Sequence, residues 1–478
     1  MKPQITSFGK FSLFRGILAI PVTWLLLLFP VLLPVRTALA EDLMQIYTLA
    51  KEQDPAFRRE TFRHEAAPET LNQAYAELIP TVNADAFYRR SRQEILSTDI
   101  AVYETTIARY PAKGYTLSLV QPLLKLSSIY RVMQAKEEVR RADFKFEAAK
   151  QELLLRVAEA YSTVLEAQDS LSFTLAEEAA VRRHFELAQI RYRSGLAPVT
   201  DFHDAKARLA DTMALKVKAE NRLEDSLEAL AEITGKKIKN VAKLKSSAIG
   251  VGVSSEKTRE VVGTGMPLVS PEPDSVESWM EAAPKQNLDV EVQRQAVQVA
   301  EKEIERQKAG HAPVLSVVGR LNKDDEGGSL FGGESDVMTR EAYVQLTFPL
   351  FQGFSVVSKT REAVKLWSAA KADLEKEIRG VRRTAKASFL GVKSSIQNVE
   401  AFRESVLSNQ IALEAKREGF KSGLFPALAV LDAERDLHRA KQDYARAHYE
   451  YVVHSLRLKK AVGTLSEEDL ASINEWME

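Results

Sequence analysis

The chain has 478 residues, of which 45% are hydrophobic and 28% charged, and its 66 basic residues equal its 66 acidic ones. Segment 1–40 holds four of the basic residues and no acid, so the remainder has 62 basic residues against 66 acidic ones. A net charge of −4 gives no support to nucleic-acid binding, which requires a basic surface. The absence of cysteine excludes disulfides, iron–sulfur clusters and thiol nucleophiles.

Segment 1–40 has the features of a secretory signal peptide. A basic start leads into the apolar run Ile17–Val35, and Thr37–Ala40 offers a small-x-small cleavage site before Glu41. The apolar run is also long enough for an uncleaved membrane anchor. The cleavage pattern favours an exported protein, and no later stretch approaches the apolar length of a membrane-spanning helix.

The rest of the chain is duplicated. Ser194-Gly195-Leu196 followed by Pro198 recurs in the second half of the chain as Ser422-Gly423-Leu424 followed by Pro426. A period of nearly half the chain indicates two copies of one unit rather than a solenoid. We predict halves at 41–235 and 276–463, a Gly- and Pro-rich linker at 236–275, and a C-terminal helix within 464–478.

Each half begins with a helix and continues into a predicted β-hairpin. The first helix covers Leu43–Tyr75 with a break at Asp54-Pro55. In the hairpins at 79–122 and 312–350, small or apolar residues alternate mainly with polar ones, as in Val82, Ala84, Ala86 and Tyr88. This period of two indicates strands with one apolar face.

The four strands permit two interpretations. Strands of about 9–11 residues match the length of a transmembrane β-strand. Four strands cannot close a barrel, and open edges are not tolerated in lipid, so a membrane location requires an oligomer that pools them. The alternative is a small soluble β-domain.

Each half ends in a pair of long helices, at 125–235 and 354–462. From Val132 to Leu171 the apolar residues recur in steps of three and four, which is the heptad spacing of a coiled coil with one stutter. Ser127–Arg193 contains neither Pro nor Gly. A helix of this length measures about 100 Å, three times a bilayer core, so it extends out of a membrane rather than crossing it.

No motif for catalysis or for a cofactor is found. Gly250-Val251-Gly252 and Gly263-Thr264-Gly265 lack the other residues of a phosphate-binding loop. The seven histidines form no ligand pair with a nearby acid at helix spacing. The sequence therefore predicts a protein that is not an enzyme and that has no cofactor or metal site.

The turns between the long helices hold the candidate functional residues. Gly195 and Gly423 suit left-handed helix ends. Asp201 and Asp204 follow in the first turn of the outgoing helix, where acids commonly cap. For Asp432 we predict a functional role, because one Asp per chain around an oligomer axis forms a ring of negative charge that selects cations.

Taken together, these residues resemble the TolC family of outer-membrane exit ducts. The resemblance covers essentially the whole chain after residue 40, through Glu41–Tyr47, Arg191–Asp201, Leu223–Gly235, Asn287–Pro313 and, most closely, Ala440–Leu470. It implies a mainly α-helical homotrimer. Three chains would pool their strands into a twelve-stranded barrel in the lipid of the outer membrane, and the long helices would form a tube across the periplasm. The linker and the C-terminal helix would form an equatorial belt.

The resemblance also implies partners. Ducts of this family are passive, and an inner-membrane pump, either proton-driven or an ABC transporter, supplies the energy. A periplasmic adaptor joins the two by meeting the helix turns, here Ser194, Gly195, Leu196, Ser422, Gly423 and Leu424.

At the family's periplasmic aperture, a Tyr and an Arg of one turn bind a Thr-Asp pair of another. Thr200 and Asp201 match the acceptor pair, but Phe420 stands at the Tyr position and Phe425 at the Arg position. We therefore expect an apolar constriction made by three Phe425 rings and backed by a ring of Asp432.

The predicted function is a passive outer-membrane channel and periplasmic tunnel, exporting small molecules or proteins for a tripartite efflux pump or a type I secretion system. One alternative is a periplasmic coiled-coil scaffold without a pore. Another is a duct for metal cations, which no Met or His cluster favours. The sequence does not identify the cargo, because a passive tube serves whichever pump engages it.

Overall fold

The structure is a computed structural model that describes residues 41–94, 96, 107–244, 267–328 and 333–477. The predicted signal segment and the middle of the linker, 245–266, lie outside the described residues.

The helices follow the duplication. The first half contains α1 (Leu43–Gln53), α2 (Pro55–Ala76), α3 (Leu126–Arg193) and α4 (Val199–Thr234). The second half contains α5 (Val276–Gln286), α6 (Leu288–Lys308), α7 (Ser355–Lys421) and α8 (Ala427–Val462), and α9 (Glu467–Asn474) ends the chain. The long helices begin and end close to the predicted positions. None of the helices in the described part has both the length and the apolar character needed to cross a membrane.

A capping residue divides the opening helix of each half. The Asp54 carboxylate accepts a hydrogen bond from the Phe57 amide at 2.7 Å, which ends α1 and caps α2. Asn287 does the same between α5 and α6, where its side chain accepts from the Val290 amide at 3.1 Å. The two caps occupy equivalent places in the two halves, so the break belongs to the duplicated unit.

The long helices form two antiparallel hairpins, α3/α4 and α7/α8. Six positions of the predicted apolar seam on α3 are buried: Val132, Ala135, Leu153, Val157, Val164 and Ala167. Polar contacts join α3 to α8 along their length. They include Glu159 with Arg457 at 2.7 Å, Asp169 with the Tyr449 hydroxyl at 2.7 Å, and Ser170 with Gln442 at 2.8 Å.

The largest apolar core lies halfway along the hairpins, where α1, α9 and the linker pack against α3 and α8. It includes Leu43, Ile46, Leu230, Val241, Leu465 and Leu470. The Tyr161 hydroxyl donates to the carbonyl of Ala242 in the linker at 2.6 Å. The described parts of the linker and the C-terminal helix therefore pack against the middle of α3 and the C-terminal part of α8.

The strands β1 (Thr81–Glu94), β2 (Ile107–Leu124), β3 (Val314–Glu326) and β4 (Ser335–Thr347) form one antiparallel sheet in the order β1-β2-β3-β4. Its register gathers the predicted apolar positions on one face, in rows such as Val82, Leu119, Gly319 and Ala342. The opposite face carries rows such as Asn83, Ser118, Arg320 and Glu341. The sheet therefore has the one apolar and one polar face that the alternation predicts.

The strands are longer than the alternation predicts. They contain 14, 18, 13 and 13 residues, so parts of the predicted loops, such as Ile107–Tyr110, are strand. The polar ends of the strands pair through backbone hydrogen bonds and through ion pairs such as Arg89 with Glu326 at 2.8 Å. The alternation of apolar and polar residues stops where these polar ends begin. For this reason the pattern underestimates the length of the strands.

Candidate functional site

The two helix turns are built alike. At the end of α3, Gly195 has φ 70°, its amide donates to the Tyr192 carbonyl at 3.0 Å, and the Leu196 amide donates to the Arg191 carbonyl at 2.8 Å. These two bonds define a Schellman motif, which satisfies carbonyls left open at a helix end. The second turn has the same bonds, with φ 80° at the glycine, and involves Gly419, Phe420, Gly423 and Leu424.

Each turn carries a leucine that is exposed to solvent in the single chain. Leu196 and Leu424 follow the two glycines and are both 77% exposed. In a Schellman motif this residue usually packs on an apolar residue in the last helical turn. Here Arg191 and Gly419 occupy the corresponding positions, so the leucines remain uncovered in a single chain.

The predicted acceptor pair lies at the start of α4. Thr200 and Asp201 are exposed, and neither makes a hydrogen bond or an ion pair within the described part of the chain. Asp204, one turn further along, is exposed as well. Both carboxylates are therefore available to another chain.

Phe425 packs on its own hairpin. A Cβ added to Gly419 would lie 2.3 Å from Cδ2 of Phe425, so the ring rests directly on the glycine backbone. Phe425 is nevertheless 45% exposed, and Phe420 is 40% exposed. Gly419 was not singled out from the sequence, where it reads as an ordinary helical glycine.

Asp432 has a partner that the sequence did not suggest. Nη2 of Arg208 on α4 lies 2.5 Å from Oδ1 of Asp432 on α8, and Nη1 of Arg435 lies 3.7 Å from the same oxygen. The ion pair joins the first hairpin to the second near their tips. No local spacing relates two residues from different halves of the chain, so only the tertiary structure reveals the contact.

A half-buried histidine lies near this ion pair. Burial lowers the pKa of His184 on α3, the positive charge of Arg208 lowers it further, and the negative charge of Asp201 opposes both. The tip region therefore combines residues of α3, α4 and α8 in one electrostatic cluster.

A groove of about 500 Å³ runs between the hairpins above the tips. Its α3 wall consists of three alanines and Arg183, and its other wall combines charged side chains such as Glu414, Glu434 and Lys441 with two leucines. Small residues allow a helix to approach closely. Throughout the described ranges, no group of three or more His, Asp or Glu side chains is placed to hold a metal ion.

The chain matches the outer membrane efflux protein family over residues 46–236 and 279–464, which are the two halves of the duplication. The outer membrane protein TolC of Vibrio cholerae is 34% identical over 439 residues, 91% of this chain and 93% of that protein. The alkaline protease secretion protein AprF of Pseudomonas aeruginosa is 27% identical over 449 residues, 94% of this chain and 90% of that protein.

Solved structures share the fold. The CmeC outer membrane channel of Campylobacter jejuni superposes with a TM-score of 0.71 at 16% identity, covering 91% of this chain and 89% of that chain. The open state of the Neisseria gonorrhoeae MtrE outer membrane channel gives a TM-score of 0.67 at 18% identity, covering 89% and 90%.

These relatives are channel and secretion proteins rather than enzymes. The predicted resemblance, the mainly helical fold with four antiparallel strands, and the outer-membrane location are confirmed. Because the match extends over both halves, the chain belongs to the outer membrane efflux protein family.

Proposed function

We propose that three copies of this chain form a passive duct from the periplasm through the outer membrane, serving a tripartite efflux pump or a type I secretion system. The observation that carries the proposal is the arrangement of one chain. A sheet with two open edges lies at one end of helices about 100 Å long, and paired helix turns lie at the other end.

The open edges support a trimer. Within the described residues, β1 and β4 each pair with a strand on one side only. Unpaired backbone groups are too costly in lipid. Three copies supply twelve strands, an even number within the range of bacterial outer-membrane barrels, with the apolar face toward lipid and the polar face toward the lumen.

The tips support a closed aperture. In a trimer around the duct axis, three Phe425 rings form an apolar constriction and three Asp432 carboxylates lie just inside it. The ion pair from Arg208 to Asp432 offsets part of this negative charge and holds the two hairpins of a protomer together. Opening therefore requires this contact to break or to move with both hairpins.

The surface around the tips supports docking of a periplasmic adaptor. The exposed leucines at 196 and 424 and the glycine turns beside them form equivalent contacts at both hairpins. The groove between the hairpins adds a surface with small residues and charges of both signs. An adaptor that ends in a helical hairpin fits both features, and it links the duct to the inner-membrane pump.

Export from cells tests this function. The chain is expressed, with the adaptor and pump of its own genome, in cells that lack an outer-membrane duct, and dye accumulation and protein secretion are measured. We expect one of the two to be restored, which also identifies the cargo class. Leu196→Asp with Leu424→Asp should abolish export while Leu366→Asp, an exposed leucine far from the tips, should not. A correctly inserted wild type that restores neither contradicts the proposal.

A further inference from the structure

We infer that the seam between two copies repeats the seam inside one copy: β4 of one chain pairs with β1 of the next in the register that β2 and β3 adopt within the chain. The inference rests on the proposed trimer and adds its residue-level interface. It also identifies a second copy as the partner that covers the exposed aromatic turn after β4, which runs from Phe348 to Phe354.

The duplication supplies the correspondence between strands. Pro80 precedes β1 as Pro313 precedes β3, and the offset between these prolines equals the offset between the two helix caps. Pro122 near the end of β2 corresponds to Pro349 after β4, at an offset of 227 residues rather than the 233 that separate Pro80 from Pro313. The contact of β2 with β3 is therefore a contact between the second strand of one half and the first strand of the next half. In the trimer, β4 is likewise the second strand of a half, and β1 of the next copy is the first strand of a half.

The register follows from this correspondence. Each residue of β2 corresponds to a residue of β4 at the offset from Pro122 to Pro349. Each residue of β3 corresponds to a residue of β1 at the offset from Pro313 to Pro80. Leu119 lies opposite Gly319 within the chain, so Leu346 should lie opposite Ala86 of the next copy. In the same way, the pair Leu117 and Leu321 places Val344 opposite Tyr88.

The faces of the sheet agree with this register. Val82, Ala86 and Tyr88 share the apolar face with Ala342, and so do Val344 and Leu346 at the same parity of β4. A slip of one residue would turn every apolar side chain of one strand to the polar face. The correspondence was derived from positions in the chain alone, so the agreement of faces is an independent check.

The base of the seam carries uncovered apolar residues on both sides. After β4, the exposed side chains are Phe348 (57%), Leu350 (83%), Phe351 (74%) and Phe354 (71%). At the base of β1, Ile79 is 58% and Val82 is 61% exposed. Both sets lie at the end of the sheet where β1 begins and β4 ends, so pairing of the two strands brings them together.

The aromatic turn is held in an unusual conformation. Phe354 has φ 61°, the only positive φ at a non-glycine residue in the described part of the chain, and its ring meets Phe351 edge-on with centroids 5.4 Å apart. Left-handed backbone is unfavourable for a residue with a Cβ. Inside the chain, Leu124 lies opposite Leu315 across the bulge in β2. By the same two offsets, Leu124 corresponds to Phe351 and Leu315 to Val82, so Phe351 should lie opposite Val82 of the next copy. A second copy, continuous with the open strand edges, thus covers the turn.

Disulfide crosslinking tests the register, because the chain has no cysteine of its own. Leu346→Cys with Ala86→Cys, oxidised in membranes, should give covalent trimers on a non-reducing gel. The matched internal control, Leu119→Cys with Gly319→Cys, should give only monomers. Pairs slipped by two positions, Leu346→Cys with Ala84→Cys or with Tyr88→Cys, should crosslink several-fold less.

The possible outcomes distinguish an error in the inferred register from an error in the proposed trimeric duct. If a slipped pair gives the most covalent trimer, the trimer stands and the inferred register is wrong. If Leu346→Cys with Ala86→Cys crosslinks but Phe351→Cys with Val82→Cys does not, lipid rather than a second copy covers the turn. If no pair crosslinks between chains and light scattering gives the mass of one chain, the proposed trimeric duct is wrong as well.

Discussion

At the scale of single residues, the proposed aperture gives Asp432 two roles, as a negative charge beside the ion path and as the ion-pair partner of Arg208. A ring of free carboxylates favours cations, whereas a carboxylate bound to Arg208 is partly neutralised. The side chains of Arg208 and Asp432 are 25% and 38% exposed, so solvent weakens the contact. An ion pair this accessible contributes at most about 1 kcal/mol to stability, and we expect its main effect to be on the electrostatic field in the proposed aperture.

We predict that Arg208→Ala increases cation preference, because it frees the carboxylate, and that Asp432→Ala removes that preference. The reversal potential across a planar bilayer in a salt gradient measures both. Arg417→Ala is a suitable control, since Arg417 pairs with Glu434 within the second hairpin at 2.6 Å. An unchanged reversal potential in both variants would show that Asp432 does not face the ion path.

His448 is a buried histidine whose protonation we expect to oppose folding. It is 3% exposed, its Nε2 has no hydrogen-bond partner within the described residues, and its ring meets Tyr444 edge-on at 4.8 Å. Burial lowers the pKa of His448 to about 4. The unfolded chain therefore binds a proton that the folded chain does not, and stability falls as the pH drops from about 6.5, the unfolded value, toward 4.

We predict that this histidine alone lowers the free energy of unfolding by about 3 kcal/mol between pH 6.5 and 4. In His448→Leu the midpoint of thermal unfolding, followed by circular dichroism, should change less over this range. His311→Leu removes an exposed histidine and should retain the wild-type slope. Equal slopes in all three proteins would mean that His448 is protonated without cost.

Some residues at the helix tips could be predicted from the sequence, and others could not. The glycine turns and Phe425 could be found, because Gly and Pro mark helix ends locally and the turn repeats. Gly419 and Arg208 could not. The importance of Gly419 comes from a ring beyond the turn that folds back onto it, and that of Arg208 from a carboxylate on another helix.

At the scale of elements, two glycines of α7 differ in their surroundings. A Cβ on Gly391 would lie 2.7 Å from Nδ1 of His454, whereas a Cβ on Gly380 would have nothing within 4 Å. Glycine inside a helix costs about 0.5–1 kcal/mol relative to alanine. Gly391 is thus explained by the close approach of α8, and Gly380 is not explained by any contact in the described part of the chain.

We predict that Gly380→Ala stabilises the protein by about 0.5–1 kcal/mol and that Gly391→Ala destabilises it, because the new methyl group displaces His454. Thermal unfolding by circular dichroism measures both, and each variant serves as the control for the other. His454→Ala should relieve most of the loss in the Gly391→Ala background. If both single variants are stabilised alike, α7 and α8 do not pack closely at this level.

Helices were predicted more accurately than the sheet. Heptad spacing continues over many turns, and Gly195, Gly235, Gly423 and Gly463 mark the ends, so the bounds of α3, α4, α7 and α8 were predicted closely. The pairing of β2 with β3 instead joins strands from different halves of the chain. No local signal specifies such a pairing, and the sequence predicted the hairpins without their arrangement.

At the scale of the whole molecule, the duplication explains both ends of the proposed duct. Two similar halves give six hairpins and twelve strands in three copies, so a tube and a barrel are built from one repeated unit. In the proposed duct, the residues around the lumen constrain only size and charge, so this chain does not by itself specify the cargo. Under the same proposal, the pump that engages the tips determines what is exported.

The central claim is a continuous pore that is constricted at the helix tips. Single-channel recording of the purified protein in a planar bilayer tests it most directly, with wild type compared with Phe425→Ala and, as a control, Phe62→Ala on the exposed face of α2. We predict a small conductance for the wild type and the control and a severalfold larger one for Phe425→Ala. Silence from all three proteins, shown to be folded and inserted, would contradict the account and favour a scaffold without a pore.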